Sequence, residues 1–354
     1  MNDISRATAS AGIAAFLAAS VMVANASDSG PASLVIAAIG SMHVGGGNVT
    51  VTGMPVPELS TAASRSSAVY DPNGDYEAGQ MYVQYVKLAS PRAKYPLLLI
   101  HGGGLTGVTW ETTPDGRPGW QMFFLKAGHD VYIADAMERG RASWARYPQI
   151  YKTEPTTVTK KLAWETFRIG PLGSYRTDPA SREALPGVRF PTAYFDQFFK
   201  QTVPMWGSNG PNIQAAYDAL VQKICPCVAI VHSQGANFGF TAARNAPDRF
   251  KAMIALEPAY SPDPQHVDLT GLRRVPHLIV WGDYLARYDR WMEIERNVAK
   301  YEEALRRQGG VADHLDLPQA GVKGNSHMMM MDGNSDQVAA LVQDWMHKQA
   351  LMKN

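Results

Sequence analysis

Short apolar runs recur from Pro96 onward at the spacing of buried strands. They are Pro96–His101, Asp130–Ala136, Cys227–Ser233, Lys251–Glu257, His277–Asp283 and His314–Pro318. Each is nearly continuous in hydrophobicity, as strands covered on both faces are. Helical stretches such as Gly235–Asn245 and Trp291–Arg307 separate them. Ahead of these lie Ser33–Ile39, Asn48–Gly53 and Gln80–Leu88, close together with turn residues between, which predicts antiparallel strands. The expected class is α/β, a mostly parallel central sheet flanked by helices with antiparallel strands at its N-terminal side. No internal repeat is visible.

One stretch breaks the alternation. Residues 143–210 are rich in Pro, Gly and aromatics, with Trp144, Tyr147, Tyr151, Trp164, Phe167, Tyr175, Phe190, Tyr194, Phe195, Phe198, Phe199 and Trp206. An insertion this long between core strands predicts a cap or small subdomain. Most of its aromatics are expected to form its own core, with a few left to line an apolar substrate pocket. The core is then 27–142 together with 211–354.

The N-terminus changes the compartment. Ala11–Ala24 is small and apolar, Arg6 gives a weakly positive start offset by Asp3, and Ala24-Asn25-Ala26 fits a small-x-small cleavage site. Residues 1–26 are therefore expected to be a signal peptide, with Ser27 the first mature residue and the product periplasmic or secreted. The apolar run is short for a membrane span, so none is expected in the mature chain. Of 354 residues 45% are hydrophobic, and 33 Lys+Arg stand against 32 Asp+Glu, a net charge of +1 with the basic residues scattered. Nothing in this asks for nucleic acid or an anionic membrane as partner. Cys225 and Cys227, the two cysteines, flank Pro226; they either bridge across one residue or sit buried at the start of a strand. No Cys/His spacing resembles a zinc site.

Candidate chemistry begins at His101-Gly-Gly-Gly104-Leu-Thr-Gly107. This is literally a G-x-G-x-x-G after a strand, but a dinucleotide fingerprint needs a helix to start within it. Pro114 and Pro118 follow too soon, at about 3 kcal/mol each in a helix interior. The remaining use for bare backbone N–H groups is to hold negative charge developing on a substrate oxygen. Val231-His-Ser-Gln-Gly235 supplies a nucleophile for that chemistry: Ser233 falls on the turn from a strand into a helix. Val231 stands where the full G-x-S-x-G motif has Gly. The Gly103 and Gln234 N–H groups are the expected oxyanion donors. Among nine histidines, His327, in Gly324-Asn-Ser-His327 after the last strand, is the candidate base. His101 and His232 belong to the two turns and are expected to pack and hydrogen-bond. Two strand-end acids could orient the base, Glu257 and Asp283, and by position alone Asp283 is the more usual choice. The four methionines Met328–Met331 are expected in the core.

The run from His101 to Trp120, HGGGLTGVTWETTPDGRPGW, resembles a family of bacterial secreted esterases within the α/β-hydrolase superfamily. The resemblance continues through Gly79–Val83, Arg139–Arg141, His232–Gln234, Ala255–Pro258 and Gly324–His327, most of the mature chain. Some members carry adjacent cysteines forming a vicinal disulfide after the His-Gly; here Gly103 and Gly104 stand there. The resemblance implies an α/β-hydrolase fold and a Ser–His–Glu triad, hence Ser233, His327 and Glu257, with Asp283 in reserve. It implies a serine carboxylesterase acting on a small-molecule ester, with no metal or organic cofactor. The aromatic insertion points to apolar or aromatic esters, and its apolar face could equally serve a homodimer. Rival readings are another acyl hydrolase or transferase (lactonase, thioesterase, amidase) on the same machinery, and a non-catalytic binding protein on a hydrolase scaffold.

Overall fold

The computed structural model describes residues 33–56 and 71–353; the expected signal peptide lies outside them. From Leu34 onward the chain forms one compact unit. Eight strands build one sheet: β1 (Ile36–Val51), β2 (Gly74–Leu88), β3 (Leu97–Ile100), β4 (Val131–Asp135), β5 (Cys227–His232), β6 (Phe250–Leu256), β7 (His277–Trp281) and β8 (Ala312–Asp316). Their spatial order is β1-β2-β4-β3-β5-β6-β7-β8. The β1/β2 and β2/β4 pairs are antiparallel and the other five parallel. This is the mostly parallel sheet with antiparallel N-terminal strands that the pattern predicts.

Two boundaries differ from the expectation. Ser33–Ile39 and Asn48–Gly53 are not separate strands but the two ends of β1. The glycines between them do not turn the chain: Gly45 pairs with Gln80 and Gly47 with Ala78, so the register runs through them unbroken and Gly46 falls opposite Gly79. Gly45, Gly46 and the facing Gly79 all have positive φ, and a Cβ on Gly46 would meet the Gln80 nitrogen at 2.7 Å, so glycine is what lets the two strands pass this point in register. The last strand lies two residues earlier than the apolar run suggests, because pairing with His277–Trp281 begins at Ala312.

The continuous apolar runs still obey the two-residue period of a strand. Leu98, Ile100, Ala229 and Val231 enter one core cluster, while Leu97, Leu99, Val228 and Ile230 enter the other. Helices then cover both faces: α1 (Val108–Glu111), α2 (Trp120–Lys126), α3 (Lys160–Thr166), α4 (Phe195–Phe199), α5 (Gly210–Ile224), α6 (Gly235–Asn245), α7 (Asp289–Arg307) and α8 (Ser335–Lys348). The first cluster takes Tyr217 and Leu220 of α5, Phe240 of α6 and Tyr301 and Leu305 of α7. The second takes Phe124 of α2, Trp345 of α8 and Met328–Met331, all four buried.

Residues 143–210 carry only α3, α4 and short 3-10 turns. Trp164, Phe190, Phe195 and Phe198 are buried and join the second cluster, so they extend the core. Trp144, Tyr147 and Tyr194 are exposed. The segment is tied down where it matters. Val203 N–H donates to the Gly104 carbonyl, and Arg189 N–H to that of Gly324 (2.9 and 2.7 Å). It therefore touches both the glycine loop and the loop carrying His327. Cys225 and Cys227 are joined by a disulfide. Among the described residues no helix is long and apolar enough to cross a membrane.

Candidate active site

The site lies at the C-terminal ends of β3, β5, β6 and β7, where parallel strands release their loops on one side. β5 ends at His232 and α6 starts at Gly235, leaving Ser233 and Gln234 to reverse the chain. Ser233 has φ of 51°, left-handed backbone that costs a non-glycine residue about 1–3 kcal/mol. The surroundings hold it there: Ser233 N–H donates to the Leu256 carbonyl, and its own carbonyl accepts from Ala236 and Ala259 N–H (all 3.1 Å). Gly235 is dictated by proximity, since a Cβ there would meet the His101 carbonyl oxygen at 2.5 Å.

The glycine loop follows β3, the parallel neighbour of β5. A Cβ on Gly103 would sit 2.9 Å from Gln234 Oε1, and one on Gly102 3.1 Å from Ser233 Cβ, so the glycine loop packs directly on the Ser233 turn. Among the described residues neither the Gly103 nor the Gln234 N–H donates to another backbone carbonyl. The helix after this loop stops within one turn, as the prolines require: α1 has four residues. His101 has the packing role expected of it. Its Nε2 accepts from Ala136 N–H (3.1 Å) and its Nδ1 lies 2.8 Å from the Gly102 carbonyl, while burial lowers its pKa to about 4.

His327 and Glu257 meet directly. Glu257 lies just past β6 and is fully buried; its Oε2 is 2.6 Å from His327 Nδ1. That contact fixes the proton on Nδ1 and leaves Nε2 as the basic nitrogen. The other oxygen, Oε1, accepts from Gly282 N–H (2.8 Å) and from the Arg168 guanidinium. Burial would push the Glu257 carboxyl up, but the Arg168 charge and the His327 contact outweigh it and bring it down to about 2. Burial lowers the His327 pKa, Glu257 opposes this, and Arg168 and Arg290 reinforce it, for a net value below the ordinary 6.5. A pKa lowered from 6.5 favours the neutral imidazole at pH 7, the form able to accept a proton.

His327 is held beside the Ser233 turn by its neighbours. His232 Nε2 donates to the His327 carbonyl (2.9 Å), and the two rings lie 4.6 Å apart. Burial keeps the His232 pKa well below 6.5, so this ring is a neutral tether. The Trp291 ring packs 4.4 Å from His327, and Phe167 at 5.3 Å also accepts the His327 N–H on its carbonyl. Asp332 secures the loop from below: it accepts Ser326 N–H, Ser326 Oγ–H and Asn325 Nδ2. Burial, partly offset by these bonds, raises its pKa to about 7.

Asp283, the reserve acid, does not reach His327. Its carboxylate accepts the N–H groups of Tyr284 and Gly324, so it shapes the loop that carries the histidine. The residues that sequence reasoning missed are Phe167, Arg168, Trp291 and Asp332. Arg168 had one local signal, a charge set between Phe167 and Ile169.

A strand-order 1-2-4-3-5-6-7-8 sheet, with a strained serine between the fifth strand and its helix and a buried His–Glu pair beside it, defines an α/β-hydrolase. Comparison with known proteins narrows this. A novel bacterial esterase solved at atomic resolution is 34% identical over 90% of this chain and 97% of its own, with a TM-score of 0.76. A probable secreted lipase, phiG, of a fungal species is 28% identical over 345 residues, 81% of this chain and 91% of its own. No protein-family model matches the chain. The chain belongs to the esterase family of the α/β-hydrolases, carboxylic ester hydrolases that act on small molecules.

Proposed function

We propose that the protein is a serine carboxylesterase in which Ser233 is the nucleophile, His327 the base and Glu257 the acid. Nε2 of His327 takes the Ser233 proton as Oγ attacks the ester carbonyl. The imidazolium that forms is stabilised by Glu257, which stays ionised throughout. The Gly103 and Gln234 N–H groups hold the oxyanion, each worth about 3 kcal/mol of barrier. His327 returns its proton to the departing alcohol, and a water deprotonated by the same nitrogen releases the acid from Ser233. The observation that carries this reading is the 2.6 Å contact between His327 and Glu257, tethered through His232 to the turn of Ser233.

Residues 143–210 are read as a cap. Val158 and Met205 approach Gly104 and give that wall of the site an apolar character, which favours apolar or aromatic esters. Export to the periplasm or medium fits the apolar run Ala11–Ala24, its Ala24-Asn25-Ala26 site, and a relative named as secreted. The test is hydrolysis of p-nitrophenyl esters, from acetate to long acyl chains, by the mature chain and Ser233→Ala, with circular dichroism on both. Cleavage by the first alone supports the reading, and the chain-length profile sizes the acyl site. Equal cleavage by both would remove Ser233 from it.

A further inference from the structure

The second oxygen of Glu257 is held by an unusual partner. Arg168 follows α3 in the 143–210 segment, is fully buried, and adopts φ of 55°. Its Nη2 donates to Glu257 Oε1 and its Nε to the Asp283 carbonyl (2.8 Å). The guanidinium lies 5.1 Å over the Trp291 ring, the same ring that packs on His327. The preceding residue, Phe167, receives the His327 N–H. Two consecutive residues of the insertion thus grip both members of the His327–Glu257 pair, and strained backbone is kept to do so.

We infer that Arg168 is a positioning residue: through it the 143–210 segment fixes the Glu257 carboxylate, and with it His327, in the arrangement the reaction uses. This rests on the triad reading above. The charge arithmetic gives Arg168 a second consequence. With neutral His327, ionised Glu257 and Arg168, the buried cluster is neutral. Without the guanidinium it carries one uncompensated negative charge, and a proton enters the pair at higher pH, whichever of the two groups takes it. Other groups around the pair do not substitute. His232 on β5 is a neutral donor; Arg290 on α7 acts on His327 at longer range; Asp332 ahead of α8 is an acid with its own partners; Asp283 after β7 is bonded to backbone N–H groups.

The experiment compares kcat and KM across pH for the wild type, Arg168→Gln and Arg168→Lys on one p-nitrophenyl ester. Gln keeps a donor for Glu257 without charge; Lys keeps charge without the planar fork. The acid limb of kcat/KM is expected to rise by at least one pH unit in Arg168→Gln and to stay within about 0.3 unit in Arg168→Lys, with KM little changed in both. A Gln loss uniform across pH, or equal limb shifts in both variants, would reduce Arg168 to a packing residue. Should Arg168→Gln not fold, Arg168→Lys decides alone: a limb moved by a unit or more overturns the inference, an unmoved one upholds it. An inactive wild type, or an active Ser233→Ala, would instead count against the triad reading.

Discussion

Gly235 is the position where a single methyl group probes the nucleophile turn. A Cβ added there meets the His101 carbonyl oxygen at 2.5 Å and Ile100 Cγ2 at 2.8 Å, against about 3.4 Å for ordinary contact. The first of these neighbours is backbone at the end of β3, so it cannot rotate away. The clash is relieved only if β3 and the start of α6 separate by roughly 0.9 Å. Overpacking of this kind costs about 1–3 kcal/mol. At about 2 °C per kcal/mol for a chain this long, the expected fall in Tm is roughly 2–6 °C. The kinetic effect is larger, because the same displacement parts the Gly103 and Gln234 N–H groups that would share one oxyanion. A shift of about 1 Å at a reacting centre costs on the order of 100-fold. Gly235→Ala should therefore fold, melt slightly early, and lose about 100-fold in kcat with KM little altered. Steady-state hydrolysis of p-nitrophenyl butyrate and a melting curve are sufficient. Activity within threefold of wild type would refute the claim that these two turns are held at backbone distance for catalysis.

The two candidate acids separate cleanly. Glu257→Gln should lower kcat by 100-fold or more and lower Tm, since it strips the imidazolium of its counter-charge and leaves Arg168 buried without one, a defect of about 3–5 kcal/mol. Asp283→Asn, whose single amide oxygen can accept only one of the two N–H groups that the carboxylate takes on separate oxygens, should loosen that loop yet keep activity within about tenfold, because Asp283 does not touch His327; the same ester assay checks both. The acid limb of kcat/KM in the wild type should lie below pH 6.5, because His327 is shifted down, and should carry no separate step from Glu257 above pH 3, since that carboxyl sits near 2. Stability should fall as pH rises through about 7 on account of Asp332: its folded pKa is raised above the unfolded value, so the stability tied to its neutral form is present below about 4 and lost above 7. Urea melts at pH 5.5 and 8.5 measure this, and Asp332→Asn should flatten the difference. Replacing Cys225 and Cys227 by Ser should leave kcat/KM unchanged, because the bridge lies at the opposite end of β5 from Ser233, about 20 Å away at 3.3 Å per residue.

The parallel strands were legible in the sequence because burial on both faces leaves a continuous apolar run, and Gly235–Asn245 was legible as a helix from its period. That the helix after the glycine loop stops short was legible for a local reason, since Pro114 and Pro118 forbid its continuation. β1 was harder. Three glycines between two short runs look like a turn, and only pairing with β2, some 30 residues on, shows that the strand continues through them. The acid could not be chosen from spacing, as both Glu257 and Asp283 end strands; what separates them is which loop the β7 end grips, a tertiary fact. Arg168 illustrates the limit best. It belongs to a segment without periodicity, more than 60 residues ahead of Ser233, and it meets the Glu257 carboxylate, just past β6, only once the chain is folded.

The central claim is that Ser233 is the activated nucleophile. Its most direct measurement is labelling of the mature protein with a fluorophosphonate, followed by intact-mass and peptide mass spectrometry. The account predicts one adduct per chain, on the peptide carrying Ser233, absent in Ser233→Ala and slowed in Glu257→Gln. An adduct on any other residue, or undiminished labelling of Ser233→Ala, would contradict it.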